Sequence, residues 1–510
     1  MALFGAEMRH VDGGGGIVGQ QARDLARLQP RQALAQPKDG QGAEKAGGVD
    51  GEIRGHAGHL GGRGVDVHVI VGRRVGALRF VIALPKLSAN VPGMDGQSSD
   101  ITIEAGQGVR ARRVLYIPGF DPVPARKYRE RYRREAGEQA RISGYEIALS
   151  RQQIEGPFGW HVEAETGGVT SRADIEVLIW ADIVKDSMAH GIMATYWQLL
   201  RTAWVYIMSG ALFRLFRLRK GPVIAALYPV LFLLGQLGIA VLAGIGMAVL
   251  VAWLGSVLIG VPLAVFGMVA GGGTIWAVLA LFKRYDGKVL AYYLMHDYAF
   301  TARHGGANPP ALEARLEDFK ARVIAAMASD ADEVLIVGHS SGAHLAVNVL
   351  ADLLRQRRLP AQGPELAFLS LGQVVPMVSF LPNARKLRGD LEYLSQSEAL
   401  TWVDVTAPGD GCAFALCDPV SVSGVAPEAG KRWPLVISAA FTQTLSPAKW
   451  KALRWRLFEL HFQYLNAFDR PGDYDYFQIT AGPETLAARF AGRTPSKSRI
   501  ERAVNRFTDR

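Results

Sequence analysis

Cysteine is almost missing: of 510 residues only Cys412 and Cys417 carry thiols. That excludes a disulfide scaffold and any zinc or iron–sulfur site built on cysteine, and two thiols five apart read as reduced residues without a special role. Histidine is scarce as well, with 11 in the chain and only His344 and His461 beyond position 340. The opening MALFGAEMRHVDGGGG lacks the basic segment and apolar run of a secretory signal. Gly13–Gly16 has no Lys-Ser/Thr pair after it, so it is not read as a phosphate loop. The most informative absence is local. From Gly221 to Phe282 there is no Asp, Glu, Lys, Arg or His.

A bilayer crossing needs ~20 apolar residues, so residues 221–282 have room for two long helices or three short ones. Arg214, Arg217, Arg219 and Lys220 precede the stretch, and Lys283 and Arg284 follow it. Positive residues stay on the cytoplasmic side. Both ends are therefore expected inside, with two crossings and a turn near Leu254–Ser256. Gly238, Gly244, Gly246, Gly267 and Gly271 would let the helices approach closely. A buried hairpin of a soluble protein would carry a polar stripe, and this one has none. Ahead of it, residues 196–220 are apolar and aromatic with terminal arginines, which reads as an interfacial helix.

Over the whole chain 49% of residues are hydrophobic and 20% charged, with a formal charge of +10. That excludes a disordered tail or a collagen-like chain. The basic excess suits nucleic acid, an anionic membrane surface or an Arg-rich genome. The segment RKYRERYRR (Arg126–Arg134) mixes basic residues with Tyr, but interleaved Glu130 and helical spacing favour a solvated face or lipid contact over nucleic acid. Residues 1–93 are about one-fifth Gly without a lasting helical or strand period. They are expected to be a disordered extension or sequence upstream of the true start, with Met94 as initiator.

Strands are expected at Arg113–Ile117, Gly144–Leu149, Trp160–Glu165, Ile175–Trp180, Glu333–Val337, Glu365–Leu371, Thr401–Thr406 and Trp433–Ala440. Helices are expected at Val123–Ala140, Pro310–Met327, Gly342–Arg355, Ala384–Leu394 and Pro447–Leu460. The alternation predicts an α/β fold with a mostly parallel sheet. It divides into 94–195 before the membrane segment and 283–510 after it.

Gly338-His339-Ser340-Ser341-Gly342 matches G-x-S-x-G, between the strand-like DEVLIV and the helix-like AHLAVNVLADLL. A sharp strand–turn–helix would lift the Ser340 hydroxyl above the sheet, and the flanking glycines would let strand and helix crowd together. Ser340 is the candidate nucleophile.

In this motif and its setting the chain resembles the α/β-hydrolase superfamily of serine hydrolases, over roughly Arg113–Gly482 with the apolar hairpin inserted. The resemblance implies a triad in the order Ser…Asp/Glu…His. His461 is then the implied base, with His344 a structural residue of the nucleophile helix. The implied acid is Asp410, in the loop closed by Pro408 and Gly409, with Asp404 as a competitor and Asp418 a remote one. The implied oxyanion hole takes one backbone N–H from Ser341. The second comes from Pro118-Gly119-Phe120, where Phe120 is preferred over Gly119 and Pro stands where the family often has His. Asp182, Asp469, Asp473 and Asp475 show no converging ligand spacing and read as turn and surface carboxylates.

The expectation is thus a multi-pass, membrane-anchored serine ester hydrolase of lipase or esterase type, with its catalytic domain cytoplasmic. It would use no cofactor or metal, bind no nucleic acid, and have a lipid bilayer and an acyl ester or lipid as partners. Acyl transfer to another alcohol shares every residue. The rival expectation is a non-catalytic membrane protein using a hydrolase-like domain for binding or scaffolding.

Overall fold

The computed structural model describes residues 108–510 except 189, 190 and 262. The expectations for residues 1–93 and for Met94 lie outside the described residues.

Eight strands form one sheet: β1 (Ala111–Ile117), β2 (Glu146–Arg151), β3 (Gly159–Thr166), β4 (Val169–Val177), β5 (Glu333–His339), β6 (Glu365–Leu371), β7 (Thr401–Thr406) and β8 (Leu435–Ser438), in the order β2-β3-β4-β1-β5-β6-β7-β8. The six strands from β4 to β8 run parallel, and β2, β3 and β4 are joined antiparallel. Side chains alternate across the sheet. Val114, Tyr116, Leu335 and Val337 enter one core layer with Tyr132 and Phe477. Leu115, Ile117, Val334 and Ile336 enter the other with Leu316 and Leu345. Every residue of β5 is buried, as its unbroken apolar run requires, and each large aliphatic side chain so placed contributes roughly 1.5–3 kcal/mol.

The longer helices are α1 (Arg126–Ser143), α2 (Ala181–Met188), α3 (Ile192–Met208), α4 (Ala211–Leu218), α5 (Lys220–Ile259), α6 (Ala264–Arg284), α7 (Ala291–Arg303), α8 (Pro310–Met327), α9 (Gly342–Arg355) and α10 (Arg385–Gln396). On α1, Tyr128 and Tyr132 are buried, while Arg129, Arg133 and Arg134 pair with Glu130 and Glu135 on the outer face.

Helices α5 and α6 are long and apolar enough to cross a membrane. Their turn lies five residues or so beyond the expected Leu254–Ser256. Gly260, at φ 68°, caps α5, and Gly255 lies inside the helix, where a Cβ would meet Val261 O and Leu263. A left-handed Gly with Pro two positions later is a helix stop. Of the expected contact glycines, Gly244, Gly267 and Gly271 do meet the opposite backbone, whereas Gly238 and Gly246 face open space.

The expected interfacial helix at 196–220 is two helices, α3 and α4, bent by 72°. Gly210, at φ 73°, makes that corner. The strand expected at Ile175–Trp180 instead spans Val169–Val177, because the pair Gly167-Gly168, both with positive φ, turns β3 back into β4 as a two-residue hairpin does. The helix expected over Pro447–Leu460 is interrupted, with helices at Pro447–Leu453 and Leu457–His461.

Candidate active site

Ser340 follows the last residue of β5 and holds φ 56°, a left-handed conformation uncommon for a residue with a side chain. The turn closes only because its glycines lack a Cβ. A methyl on Gly342 would lie 2.1 Å from the Ile117 carbonyl oxygen, and one on Gly338 would meet Gly342 O and Ala343 Cα at 2.8 Å. β1, β5 and the start of α9 therefore touch backbone to backbone under Ser340. The loop after β1 passes just as near, for a Cβ on Gly119 would stand 3.4 Å from Ser340 Oγ.

That loop is fixed from several sides. Trp180 Nε1 donates to Pro118 O at 2.9 Å, and Tyr293 Oη donates to Phe120 O. The Phe120 ring packs on Trp180, Tyr293 and Phe300. Among the described residues, neither the Phe120 nor the Ser341 amide donates to a protein acceptor.

His461, at the end of the short helix Leu457–His461, donates from Nδ1 to Asp410 Oδ2 at 2.7 Å. The same carboxylate oxygen accepts Tyr464 Oη at 3.0 Å, and Oδ1 accepts the Cys412 amide at 2.8 Å. Asp410 and His461 are both buried. The His339 ring lies 4.9 Å from that of His461 and donates from Nε2 to the His461 carbonyl at 3.1 Å. Burial, with His461 beside it, holds His339 well below the usual imidazole range, so it stays neutral and braces the His461 backbone. Gly372, at φ 53°, leaves room for both Tyr464 and the His461 ring, whose Cε1 a Cβ would approach to 3.1 Å.

Ser340, Ser341, Phe120 and His461 line one cavity of about 300 Å³, at the lower end of the ~300–1,000 Å³ usual for ligand pockets. Among the described residues the Ser340 hydroxyl forms no hydrogen bond, to His461 or to any other group. Asp297, from α7, lines the same cavity. Burial pushes its carboxyl up to about 7, with His461 drawing it partly back.

The competing acids lie in other surroundings. Asp404, inside β7, accepts from Ser370 through Oδ1, its Oδ2 has no partner, and burial pushes it up to about 8. Asp418 caps the helix at Pro419–Val422 and pairs with Lys431. His344 is buried within α9 and lowered to about 4 by burial. Asp182 forms a two-pronged pair with Arg315. Asp469 accepts the Ser446 amide, Asp473 pairs with Arg493, and Asp475 caps the helix Tyr476–Ala481.

Asp410, Cys412 and His461 also offer three donor atoms within 4.8 Å of one another, close enough for a metal ion. Burial and the carboxylates of Asp410 and Asp297 push the Cys412 thiol well up, which opposes the thiolate form that binds metals.

Tyr464, His339 and Asp297 were not apparent from the sequence. Tyr464 lies three residues after His461, and His339 inside the motif, so both had a positional signal. Asp297 had none. No protein-family model, curated protein or solved structure matches the chain.

Proposed function

We propose that this protein is a membrane-anchored serine hydrolase of the α/β-hydrolase type that cleaves an acyl ester through an acyl-enzyme. One observation carries the reading: a left-handed Ser340 at the end of a buried parallel strand shares a cavity with a histidine whose Nδ1 is held by a buried aspartate. In this reading Ser340 Oγ attacks the ester carbonyl carbon while its proton passes to His461 Nε2. Asp410 holds the ring and stabilises the imidazolium, and the Phe120 and Ser341 amides receive the oxyanion. The alcohol leaves with the proton from His461. Water then adds to the acyl group, giving its proton to His461, and release of the acid returns that proton to Ser340. Acyl transfer differs only in the alcohol that replaces water. The flanks of α5 and α6 are basic, which supports a cytoplasmic position for the sheet.

The unbonded Ser340 hydroxyl favours a second reading, in which the domain binds a ligand without turning it over. Labelling with a fluorophosphonate probe separates the two. Hydrolysis requires labelling of the wild type and its loss in Ser340→Ala, whereas a binding module leaves both unlabelled.

A further inference from the structure

Strands β4 and β5 lie on either side of the inserted segment in sequence, and both pair with β1. The two flanks therefore belong to one sheet on one side of any bilayer, and the number of complete crossings must be even. α5 and α6 supply two. The bent pair α3–α4 is consequently not a third crossing, although its composition would allow one.

α3 is nevertheless built for lipid. Met193, Trp197, Leu200, Trp204 and Ile207 recur at helical spacing along one face, with Met193 70% and Trp197 68% exposed. Its other face packs on the hairpin and on α7. Ile192 meets Ala240 and Leu279, Tyr196 donates to Leu233 O, and Leu199 lies with Met295 and Ala299. The apolar stripe is thus continuous with the lipid-facing surface of α5 and α6.

The hairpin also sets a depth. Gly244 opposes Gly271 and Gly267 opposes Ala248, a register that brings Lys283 and Arg284 level with Leu231 and Phe232 of α5. Tyr228 lies about one turn past that level and Pro222 roughly 13–15 Å past it, at ~1.5 Å per residue. The head-group layer adds roughly 5–8 Å to each face of the hydrocarbon. Tyr228, Ala225 and Pro222 all line the cavity that holds Ser340 and His461, together with Tyr206 of α3 and Leu294 of α7. The cavity therefore begins at head-group depth, walled by the same helices that face lipid.

We infer that α3 lies half-inserted in the leaflet on the sheet's side and that the cavity is loaded from that leaflet with a lipid ester. The acyl chain occupies the space between α3, α5 and α7, and the ester carbonyl meets Ser340. This deepens the hydrolase reading and rests on it.

The test uses the full chain in phosphatidylcholine vesicles. Two substrates are compared, a long-chain fluorogenic diacylglycerol ester dissolved in the bilayer and p-nitrophenyl acetate in water. Wild type is expected to hydrolyse both, each dependent on Ser340. Ala225→Trp, which narrows the wall given by α5, and the double change Trp197→Glu with Trp204→Glu are each expected to lower the lipid-to-acetate rate ratio at least ten-fold. A misfolded variant loses both rates together. Brominated lipid is expected to quench wild-type tryptophan fluorescence more than that of Trp197→Phe with Trp204→Phe. Ser340-dependent acetate hydrolysis without lipid hydrolysis would overturn the inference and leave the hydrolase reading standing. So would an unchanged ratio in the variants, or equal quenching. Acetate hydrolysis unaffected by Ser340→Ala would overturn both.

Discussion

His461 Nδ1 lies 2.7 Å from Asp410 Oδ2, and that oxygen also accepts the Tyr464 hydroxyl at 3.0 Å. The carboxylate thus holds the ring in one tautomer, and in the proposed reaction the other nitrogen takes the proton of Ser340. Asp410→Asn is expected to lower kcat on the order of 10⁴-fold with little change in KM, since an amide favours the wrong tautomer. Tyr464→Phe removes one neutral donor and is expected to cost about 1 kcal/mol of stability and less kcat than Asp410→Asn. Steady-state kinetics on p-nitrophenyl esters and thermal unfolding measure the two.

If the chain is the hydrolase proposed above, Asp297 is expected to give its rate a pH signature. Its carboxyl, pushed up to about 7 by burial, is neutral below that pH. Above it the carboxyl carries a negative charge, which would favour the His461 imidazolium of the proposed acylation step. The rise of kcat/KM between about pH 6 and 8 is expected to be steeper in wild type than in Asp297→Asn. Superimposable profiles would remove Asp297 from the electrostatics of the site.

Asp404 gives stability the opposite dependence on pH. Burial raises the pKa of its carboxyl in the folded protein to about 8, well above the usual carboxylate range. Folding then favours the protonated form, so its stabilising effect is complete below the unfolded value and is lost as pH rises through about 8. Wild-type Tm is expected to fall from pH 5 to 9 (about), and that of Asp404→Asn to fall less. The difference in unfolding free energy between the two at the alkaline end is expected to be on the order of a few kcal/mol.

The glycines divide by contact. Gly342→Ala would set a Cβ 2.1 Å from Ile117 O and is expected to destabilise by ~3 kcal/mol or more. Gly271→Ala would set one 2.7 Å from Gly244 O and force α5 and α6 apart, whereas Gly246→Ala meets nothing within 4 Å and is expected to be neutral or slightly stabilising. Unfolding of the three variants in detergent gives the order.

What was legible in the sequence follows the strength of each local signal. Gly342–Arg355, Glu365–Leu371 and Thr401–Thr406 have the expected bounds, because apolar periodicity and turn residues agree there. The hairpin was plain from its lack of charge. Its turn lies beyond the expected Leu254–Ser256 because the left-handed Gly260 ends the helix. The interruption near Trp455 carries no Gly or Pro, and only tertiary packing marks it. Asp410 and His461 were paired through a triad order that the resemblance implied. Asp297 was missed because a lone acid on an apolar helix has no pattern, and its place in the cavity comes from how α7 packs.

The order in which the sheet is made has a cost during synthesis. β1 to β4 leave the ribosome first, and the edge of β1 that will receive β5 stays uncovered until the whole apolar hairpin has been translated. Nascent chains are thus expected to display an unpaired strand edge, open to chaperones or to misassociation, while the hairpin is being made. Delayed insertion would therefore show itself first as aggregation of the nascent soluble half.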